Sequence, residues 1–512
     1  MIPGISVLQR TSAVSTELIR LSVAIRLAKE VDPLFKGRHP LFSMRFFRCV
    51  FLGLFGFGGW VGTVMGAPAK RPNLILLMAD DMGAGELGAY GHPQHRTPVL
   101  DQLARTGVKF ETAYTSPVCH PTRFTLMTGQ YGFRTGVLNF SGMRAGPPVK
   151  HEGVDNIANH LTFGKVLHAA GYATALAGKW QLSGSYPGVV RENGFDEFCI
   201  WGFREHYSEA DREQAQRAGI NFRSRYWHPS IYRNGRWVPT TPDDYGPDIF
   251  VAFVVDFIQR NQNRPFFIYY PMALTHGPWL PTPDSYRSGM DRSNSNRMNF
   301  QANVEYADKL VGRIMAALEA AGVRDNTVFM FTGDNGTGGD GKSTATERGA
   351  RVPLIVNGPG LVKTRGAVTA LADTSDIFPT LLEFAGAEVP AGHVVDGRSL
   401  VPFLRGEQET TREWIFAYQA DRRILRTNRW LLEDNSPRQE GRLFDCGTLH
   451  GGVGYRDVTG SADPEVQAAR AYFDRLLQQL PAPRLDHDGA PNQKNDPEAR
   501  KAKRQERKKQ AK

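Results

Sequence analysis

From Pro72 onward the chain alternates between short apolar runs and stretches of helical period. "PNLILLMADD" (72–81) is a continuous apolar run closed by two acids, as a parallel strand buried on both faces reads. "TPVLDQLARTG" (97–107) reads as a helix, with Thr97 as N-cap, Pro98 in the first turn and Gly107 as the stop. A helix over 160–171, closed by Gly171, precedes a strand over 172–178 that leads to Lys179. A helix over 247–261 precedes a strand over 265–274 that leads to His276. The long helix over 300–322 is followed by a strand over 327–336 that ends in Asp334 and Asn335. A further strand (352–360) and helix (373–386) follow, and "SPVCHPTRFTLMTG" (116–129) opens another helix.

Alternation of this kind implies an α/β fold, a mainly parallel sheet sandwiched by helices. Ligands of such sheets sit beyond the carboxyl ends of the strands. Asp80, Asp81, Lys179, His276, Asp334 and Asn335 all follow strand ends and are expected to converge there. Residues 183–245 break the rhythm and are rich in Arg and aromatics (Arg204, Arg223, Arg225, Trp201, Tyr226, Trp227). Within them Asn234-Gly235 reads as a tight hairpin turn. After about Thr410 come short strand-like pieces (413–419, 423–432, 441–446) and a final helix (463–480), expected to form a small C-terminal α+β subdomain. The expected organisation is a catalytic domain over 70–405, the subdomain over 406–483 and a disordered basic tail over 484–512.

Composition changes this picture at the ends. Of a net charge of +10, residues 1–49 carry +5 and residues 500–512 carry +7, so the body is close to neutral. The basic pI is no argument for nucleic-acid binding by the folded domain, and none is expected. From Met44, two arginines, an apolar run broken by glycines and Ala67-Pro68-Ala69 give the order of a secretory signal. The signal is expected over 44–69, with 1–43 as an N-terminal extension or a mis-assigned start. The expected location is therefore exported, periplasmic or secreted, with no stable membrane span after cleavage. The alternatives for the apolar run are a membrane anchor, for which it is short, and a core helix, which its glycines weaken. Of four cysteines (Cys49, Cys119, Cys199, Cys446) none has zinc or C-x-x-C spacing. Three remain after cleavage, and whether Cys199 pairs with Cys446 stays open.

Two adjacent carboxylates at a strand end repel one another and are costly in a cleft without a cation. An isolated Asp-Asp or Asp-Asn-Gly is most often a solvated turn. Together, Asp80, Asp81, Asp334 and Asn335 offer an all-oxygen donor set, which suits Ca²⁺, or less well Mg²⁺, far better than Zn²⁺.

Cys119-His120-Pro121-Thr122-Arg123, a C-x-P-x-R string followed by L-x-T-G (Leu126, Thr128, Gly129), resembles the signature of the type I, formylglycine-dependent sulfatases of the alkaline phosphatase-like superfamily. "GKWQLSG" is similar to that family's G-K-W-H-L-G, "THGPW" to its H-x-P element, and "GDNG…GKSTATERGARVPLIV" to its D-N-G…G-K…E-G-G-x-R-V-P segment. "GRLFDC" is similar to its late L-Y/F-D element, and the resemblance runs in family order from about Pro72 to Leu480.

The resemblance implies an alkaline phosphatase-like fold and conversion of Cys119 to Cα-formylglycine. The partner for that step is a formylglycine-generating or an anaerobic sulfatase-maturating enzyme. The hydrated aldehyde supplies two hydroxyls: one attacks the sulfur of a sulfate ester, and the second expels sulfate and restores the aldehyde. It further implies a metal held by Asp80, Asp81, Asp334, Asn335 and the modified Cys119. Lys179 and Lys342 bind the sulfate, and Lys342 also assists the leaving oxygen. His276 is the general acid and Arg123 holds the formylglycine and the metal carboxylates. Arg351, in the family's R-V-P, is read as a support of the metal site.

The chain departs from the pattern at Gln181, where the family has a His that helps release sulfate. A neutral Gln orients a hydroxyl but cannot take its proton, so another base covers the step or turnover is slow. Thr122, where Ser is commoner, leaves the C-x-P-x-R core intact. The substrate expected is a sulfated small molecule or, given export, a sulfated glycan. Alternatives are a phosphate or phosphonate monoester hydrolase on the same scaffold, or a non-catalytic binder of sulfated glycans.

Overall fold

The computed structural model describes residues 71–140 and 157–480, except 183, 185, 186, 204–206, 208, 218 and 221–223. The expected extension (1–43), signal (44–69) and tail (484–512) lie outside the described residues, as do Arg204 and Arg223.

Ten strands form one sheet: β1 (Asn73–Ala79), β2 (Val108–Tyr114), β3 (Ala173–Gly178), β4 (Glu197–Trp201), β5 (Ile231–Arg233), β6 (Arg236–Val238), β7 (Phe266–Pro271), β8 (Thr327–Gly333), β9 (Arg351–Asn357) and β10 (Gly366–Asp373). Their order is β10-β2-β9-β8-β1-β7-β3-β4-β5-β6. The centre, β8-β1-β7-β3-β4, is parallel throughout. β9 runs antiparallel to both neighbours. A parallel neighbour needs a long crossover, usually helical. Between β8 and β9 the chain instead makes a return loop whose only helical piece is Glu347–Ala350, so it reverses direction.

β1 is buried at every position, and its side chains alternate between two cores. Leu74, Leu76 and Met78 pack with α2 (Cys119–Thr128), α3 (Phe163–Ala169) and α6 (Ile377–Ala385). Ile75, Leu77 and Ala79 pack with α1 (Pro98–Thr106), α4 (Gly246–Asn261) and α5 (Phe300–Ala320) on the other face. This two-sided burial is why every residue from Leu74 to Ala79 is apolar. Each of the buried Leu, Ile and Met side chains contributes roughly 1.5–3 kcal/mol, which anchors the strand ends on which the polar residues stand.

Asn234 and Gly235 both have positive φ, 51° and 91°, as a two-residue hairpin between β5 and β6 requires. The hairpin extends the main sheet rather than standing apart from it. A second, antiparallel sheet comprises β11 (Ile415–Gln419), β12 (Arg422–Arg426), β13 (Trp430–Asn435), β14 (Arg442–Asp445) and β15 (Arg456–Asp457). The run 423–432, read as one piece in the sequence, is thus two strands. Their turn is closed by Thr427, whose Oγ1 accepts the Trp430 amide at 2.9 Å. One face of this sheet packs on α7 (Pro464–Gln479) and Tyr131. The other packs on Tyr114 of β2 and Leu371 of β10. Cys199 and Cys446 are both free and lie in different cores, and burial pushes both thiols up to about 12. No helix among the described residues is long and apolar enough to cross a membrane.

Candidate active site

Strand register builds the centre of the site. Ala79 of β1 pairs with Gly333 of β8, so Asp80 and Asp334 emerge side by side. The amide of Asp334 donates to the Ala79 carbonyl at 3.0 Å, and that of Asp80 donates to Leu274 beyond β7 at 2.8 Å. Consecutive strand residues point to opposite faces. Asp81 escapes that rule because its backbone turns to φ 59°. Its amide donates to Asp334 Oδ1 at 2.9 Å, and Asn335 Nδ2 donates to Asp81 Oδ1 at 2.9 Å. All four residues are buried.

The cations arrive from separate elements. Lys179 follows β3, where Gly178 has φ 98° and an added Cβ would fall 2.2 Å from the Pro271 carbonyl. This tight passage along β7 lets the Lys179 amide donate to Pro271 at 2.7 Å. Lys179 Nζ then lies 2.5 Å from Asp80 Oδ2. Lys342 comes from the loop between β8 and β9, and its Nζ lies 2.5 Å from Asp81 Oδ1. The neighbouring Ser343 amide donates to Pro117 at 2.8 Å and ties this loop to the approach to Cys119.

Cys119 is the first residue of α2, a helix buried at all ten positions. Its polar side chains are accommodated one by one. Thr122 donates to the Ser116 carbonyl at 2.9 Å and Thr125 bonds Tyr418 at 2.9 Å. Pro121 falls in the first turn, where its missing N–H costs no helical bond. Arg123 donates from Nη2 to Asp334 Oδ2 at 2.7 Å and from Nη1 to the Lys179 carbonyl at 2.8 Å, and it stands 3.5 Å from Asp80 Oδ1. Cys119 itself lies within electrostatic reach of Arg123, Lys179 and Lys342.

His276, beyond β7, has Nε2 3.7 Å from Asp81 Oδ2 and Nδ1 2.6 Å from the Gly277 carbonyl. With Nδ1 donating there, Nε2 carries the lone pair of the neutral ring. Burial pushes the imidazole down to about 4 against the pull of Asp80 and Asp81. The structure therefore gathers Asp80, Asp81, Cys119, Arg123, Lys179, His276, Asp334, Asn335 and Lys342. Arg351 is not with them: its Nε donates to the Glu111 carbonyl at 2.9 Å and its guanidinium faces Tyr90.

Electrostatics divides the carboxylates. Burial would raise Asp80, but Lys179, His276, Arg123 and Lys342 outweigh it and hold the carboxyl well below its ordinary value. Asp334 is pushed up to about 7 by burial and by the charge of Asp80, against the pull of Arg123. One carboxylate thus stays charged at its neighbour's expense. Burial also works against the charge of Lys342, yet Cys119, Asp81 and Asp80 more than offset it and hold the ammonium above the usual lysine range. Lys179 is lowered, burial being the largest cause.

The residues fit a hard divalent cation. Asp80 Oδ1 and Asn335 Oδ1 are buried without a hydrogen-bond donor among the described residues. The Asn335 amide group is committed to Asp81 and to the Gly336 carbonyl, which turns its oxygen inward. Unsatisfied buried oxygens of this kind are costly unless a cation takes them, and a cation would also let Asp334 ionise beside Asp80. Asp80, Asp81 and His276 bring one potential ligand atom each within 4.8 Å of one another.

One site residue escaped the sequence pattern. Arg225, placed by sequence only within the aromatic insert, brings Nη1 to 3.8 Å from Asp80 Oδ2. Its basic, aromatic neighbourhood was visible in the sequence, but no spacing tied it to Asp80.

The sulfatase family model matches residues 72–387. N-acetylgalactosamine-6-sulfatase of Sus scrofa is 32% identical over 377 residues, covering 70% of this chain and 70% of that protein. Arylsulfatase A of Bos taurus is 31% identical over 436 residues, covering 79% of each. A structure solved in complex with its substrate, D-glucosamine-2-N,6-O-disulfate, superposes with a TM-score of 0.64 at 21% identity, covering 83% of this chain and all of that one. A family match over most of the chain, together with relatives above 30% identity across more than two thirds of it, shows that this chain belongs to the sulfatase family, the sulfuric ester hydrolases with an alkaline phosphatase-like fold.

Proposed function

We propose that this sulfatase is an exported, Ca²⁺-dependent enzyme acting on a sulfated glycan, with Cys119 as the position of its nucleophile. The observation that carries this reading is the convergence of Cys119 with three carboxylates, Asn335 and two lysines on separate elements. Asp80, Asp81, Asp334 and Asn335, with the modified Cys119, would hold the cation, which when bound supplies Lewis acidity to the nucleophile and to the sulfate oxygens. Matured to Cα-formylglycine by a formylglycine-generating or an anaerobic sulfatase-maturating enzyme, Cys119 supplies as its hydrate one hydroxyl to attack sulfur and another to expel sulfate.

The chain's other residues orient and balance charge. Arg123 holds Asp334 against the start of α2, and Lys179 and Lys342 place positive charge about the sulfate oxygens. Lys342 also stands ready to assist the leaving oxygen. His276 would deliver a proton from Nε2 to that oxygen. Its imidazole is neutral in the free protein, so loading that proton depends on the negative charge a bound sulfate ester brings.

The segment from Met44 to Ala69 supports export, with residues 70–405 as the catalytic domain and 406–483 as its subdomain. A glycan substrate is supported by that export and by relatives whose names and bound substrate are sulfated amino sugars. Gln181, which lacks a proton-accepting ring at the release step, and the aromatic, arginine-rich insert over 183–245 favour a second reading, a non-catalytic binder of sulfated glycans. Rates on paired aryl sulfate and aryl phosphate substrates test the proposal. Sulfate release faster than phosphate release is expected. Phosphatase preference would overturn the reading, and binding of sulfated glycans without turnover would favour the binder.

A further inference from the structure

We propose that Arg225 is a sulfate-binding residue of the pocket, a third fixed cation beside Lys179 and Lys342. The proposal rests on reading the site as a sulfate-ester site. Arg225 Nη1 lies 3.8 Å from Asp80 Oδ2, the oxygen that Lys179 Nζ holds at 2.5 Å. At 3.8 Å the contact is an ion pair without a hydrogen bond. The side chain is only 13% exposed, and both Nε and Nη1 are buried with no acceptor among the described residues. A buried guanidinium donor without an acceptor is costly. An open guanidinium N–H is a charge-assisted donor for an oxygen of a bound sulfate.

The guanidinium is also held in place. It lies over the Trp201 ring, 4.3 Å from the centroid, at the carboxyl end of β4. Its carbonyl passes so close to α4 that a Cβ on Gly246 would fall 2.2 Å from it. The Gly246 amide donates to the Tyr226 carbonyl at 2.8 Å, and the Tyr226 hydroxyl donates to the carbonyls of Ala273 and His276. The segment carrying Arg225 is thus fastened to the loop carrying His276.

Arg225 stands on the Lys179 side of the site, where the chain carries neutral Gln181 in place of the family's His. A guanidinium keeps its protons, so Arg225 adds charge and orientation for the sulfate and no proton transfer.

The test uses the full, matured enzyme with 4-nitrophenyl sulfate as substrate and inorganic sulfate as inhibitor. Arg225→Ala is expected to raise both KM and the inhibition constant of sulfate by about tenfold or more, with the pH profile of kcat unshifted. Arg225→Lys is expected to recover part of the loss, keeping the charge without the planar guanidinium donors. An unchanged sulfate inhibition constant in both variants, with a lowered Tm, would overturn the proposal and make Arg225 a structural counter-charge to Asp80. The rise in Tm on adding sulfate reads the same site without turnover. If the parent enzyme gains Tm with sulfate and both variants lose that gain, Arg225 is upheld even where no sulfate ester is cleaved, a result that counts against the catalytic reading alone. A parent enzyme with no sulfate-dependent Tm and no inhibition by sulfate overturns both.

Discussion

Lys179 Nζ stands 2.5 Å from Asp80 Oδ2, joining the end of β3 to the end of β1 across the intervening strand β7. Lys342 repeats the relationship with Asp81 at the same distance from the other side of the site. Each of the two adjacent carboxylates proposed to hold the cation therefore already carries one lysine. Charge in this centre is arranged in advance: cations surround the place where sulfate oxygens gain charge, and carboxylates keep those cations from repelling one another.

That arrangement makes Lys179 more than a neutral anchor. Lys179→Ala is expected to lower kcat/KM for an aryl sulfate on the order of a hundredfold. Steady-state kinetics in saturating Ca²⁺ measure the loss. A change of less than threefold would remove Lys179 from sulfate binding.

Cation dependence follows from the open oxygens of Asp80 and Asn335. Dialysis against a calcium chelator is expected to abolish sulfate release and to lower the Tm, since a ligand that binds only the folded state stabilises it. Added Ca²⁺ is expected to restore both, and Zn²⁺ to restore neither. Asp334→Ala is expected to show the same loss without rescue. Full activity after chelation would count against the metal assignment.

Gln181 is buried, has φ 51°, and its Oε1 has no hydrogen-bond donor among the described residues. It can accept a hydrogen bond but cannot carry a proton away. If this position limits release, Gln181→His is expected to raise the single-turnover rate of sulfate release by on the order of tenfold or more, within the range of a general base. An unchanged rate would mean that another group already serves the step.

Stability against pH tests the junction between the two sheets. Glu433 on β13 accepts the Glu347 amide at 2.6 Å. Burial, joined by the charges of Glu347 and Asp434, pushes it up to about 7, against that hydrogen bond and Arg442. The folded state then binds more protons than the unfolded chain between the unfolded value near 4.5 and about 7. Through this group, stability falls as pH rises across that window and levels off above it. Glu433→Gln keeps an acceptor for the Glu347 amide and carries no charge. It is expected to be more stable than the parent at pH 8 by on the order of 2 kcal/mol, and close to it at pH 4. Denaturant unfolding at the two pH values measures the difference, and an equal difference at both would show that Glu433 is not penalised by burial.

What the sequence revealed follows from where each signal is stored. β1, β7 and β8 are buried on both faces, so their apolar runs are continuous and their polar ends stand out. β2 and β10 were not distinguished, because each keeps partly exposed positions beside buried ones and neither reads as an unbroken run. The reversal of β9 depends on the path of its connection, which apolar periodicity does not record. Asp80, Asp81, Asp334 and Asn335 were legible because they follow strand ends, and Cys119, Arg123, Lys179 and Lys342 because their surroundings resemble a family. Arg225 was seen only as part of a basic, aromatic insert, since its contact with Asp80 depends on how that insert folds back. Arg351 shows the reverse case. Its place in a family-like string suggested the metal site, while its bond to Glu111 turns it toward β2.

Residue 119 is expected to act as a hydrated aldehyde and not as a cysteine. Mass spectrometry of the tryptic peptide Phe110–Arg123, taken from protein made in its native host, tests it most directly. The mass of an aldehyde side chain in place of the thiol is expected; an intact, unmodified Cys119 throughout catalytically active protein would make the formylglycine mechanism untenable.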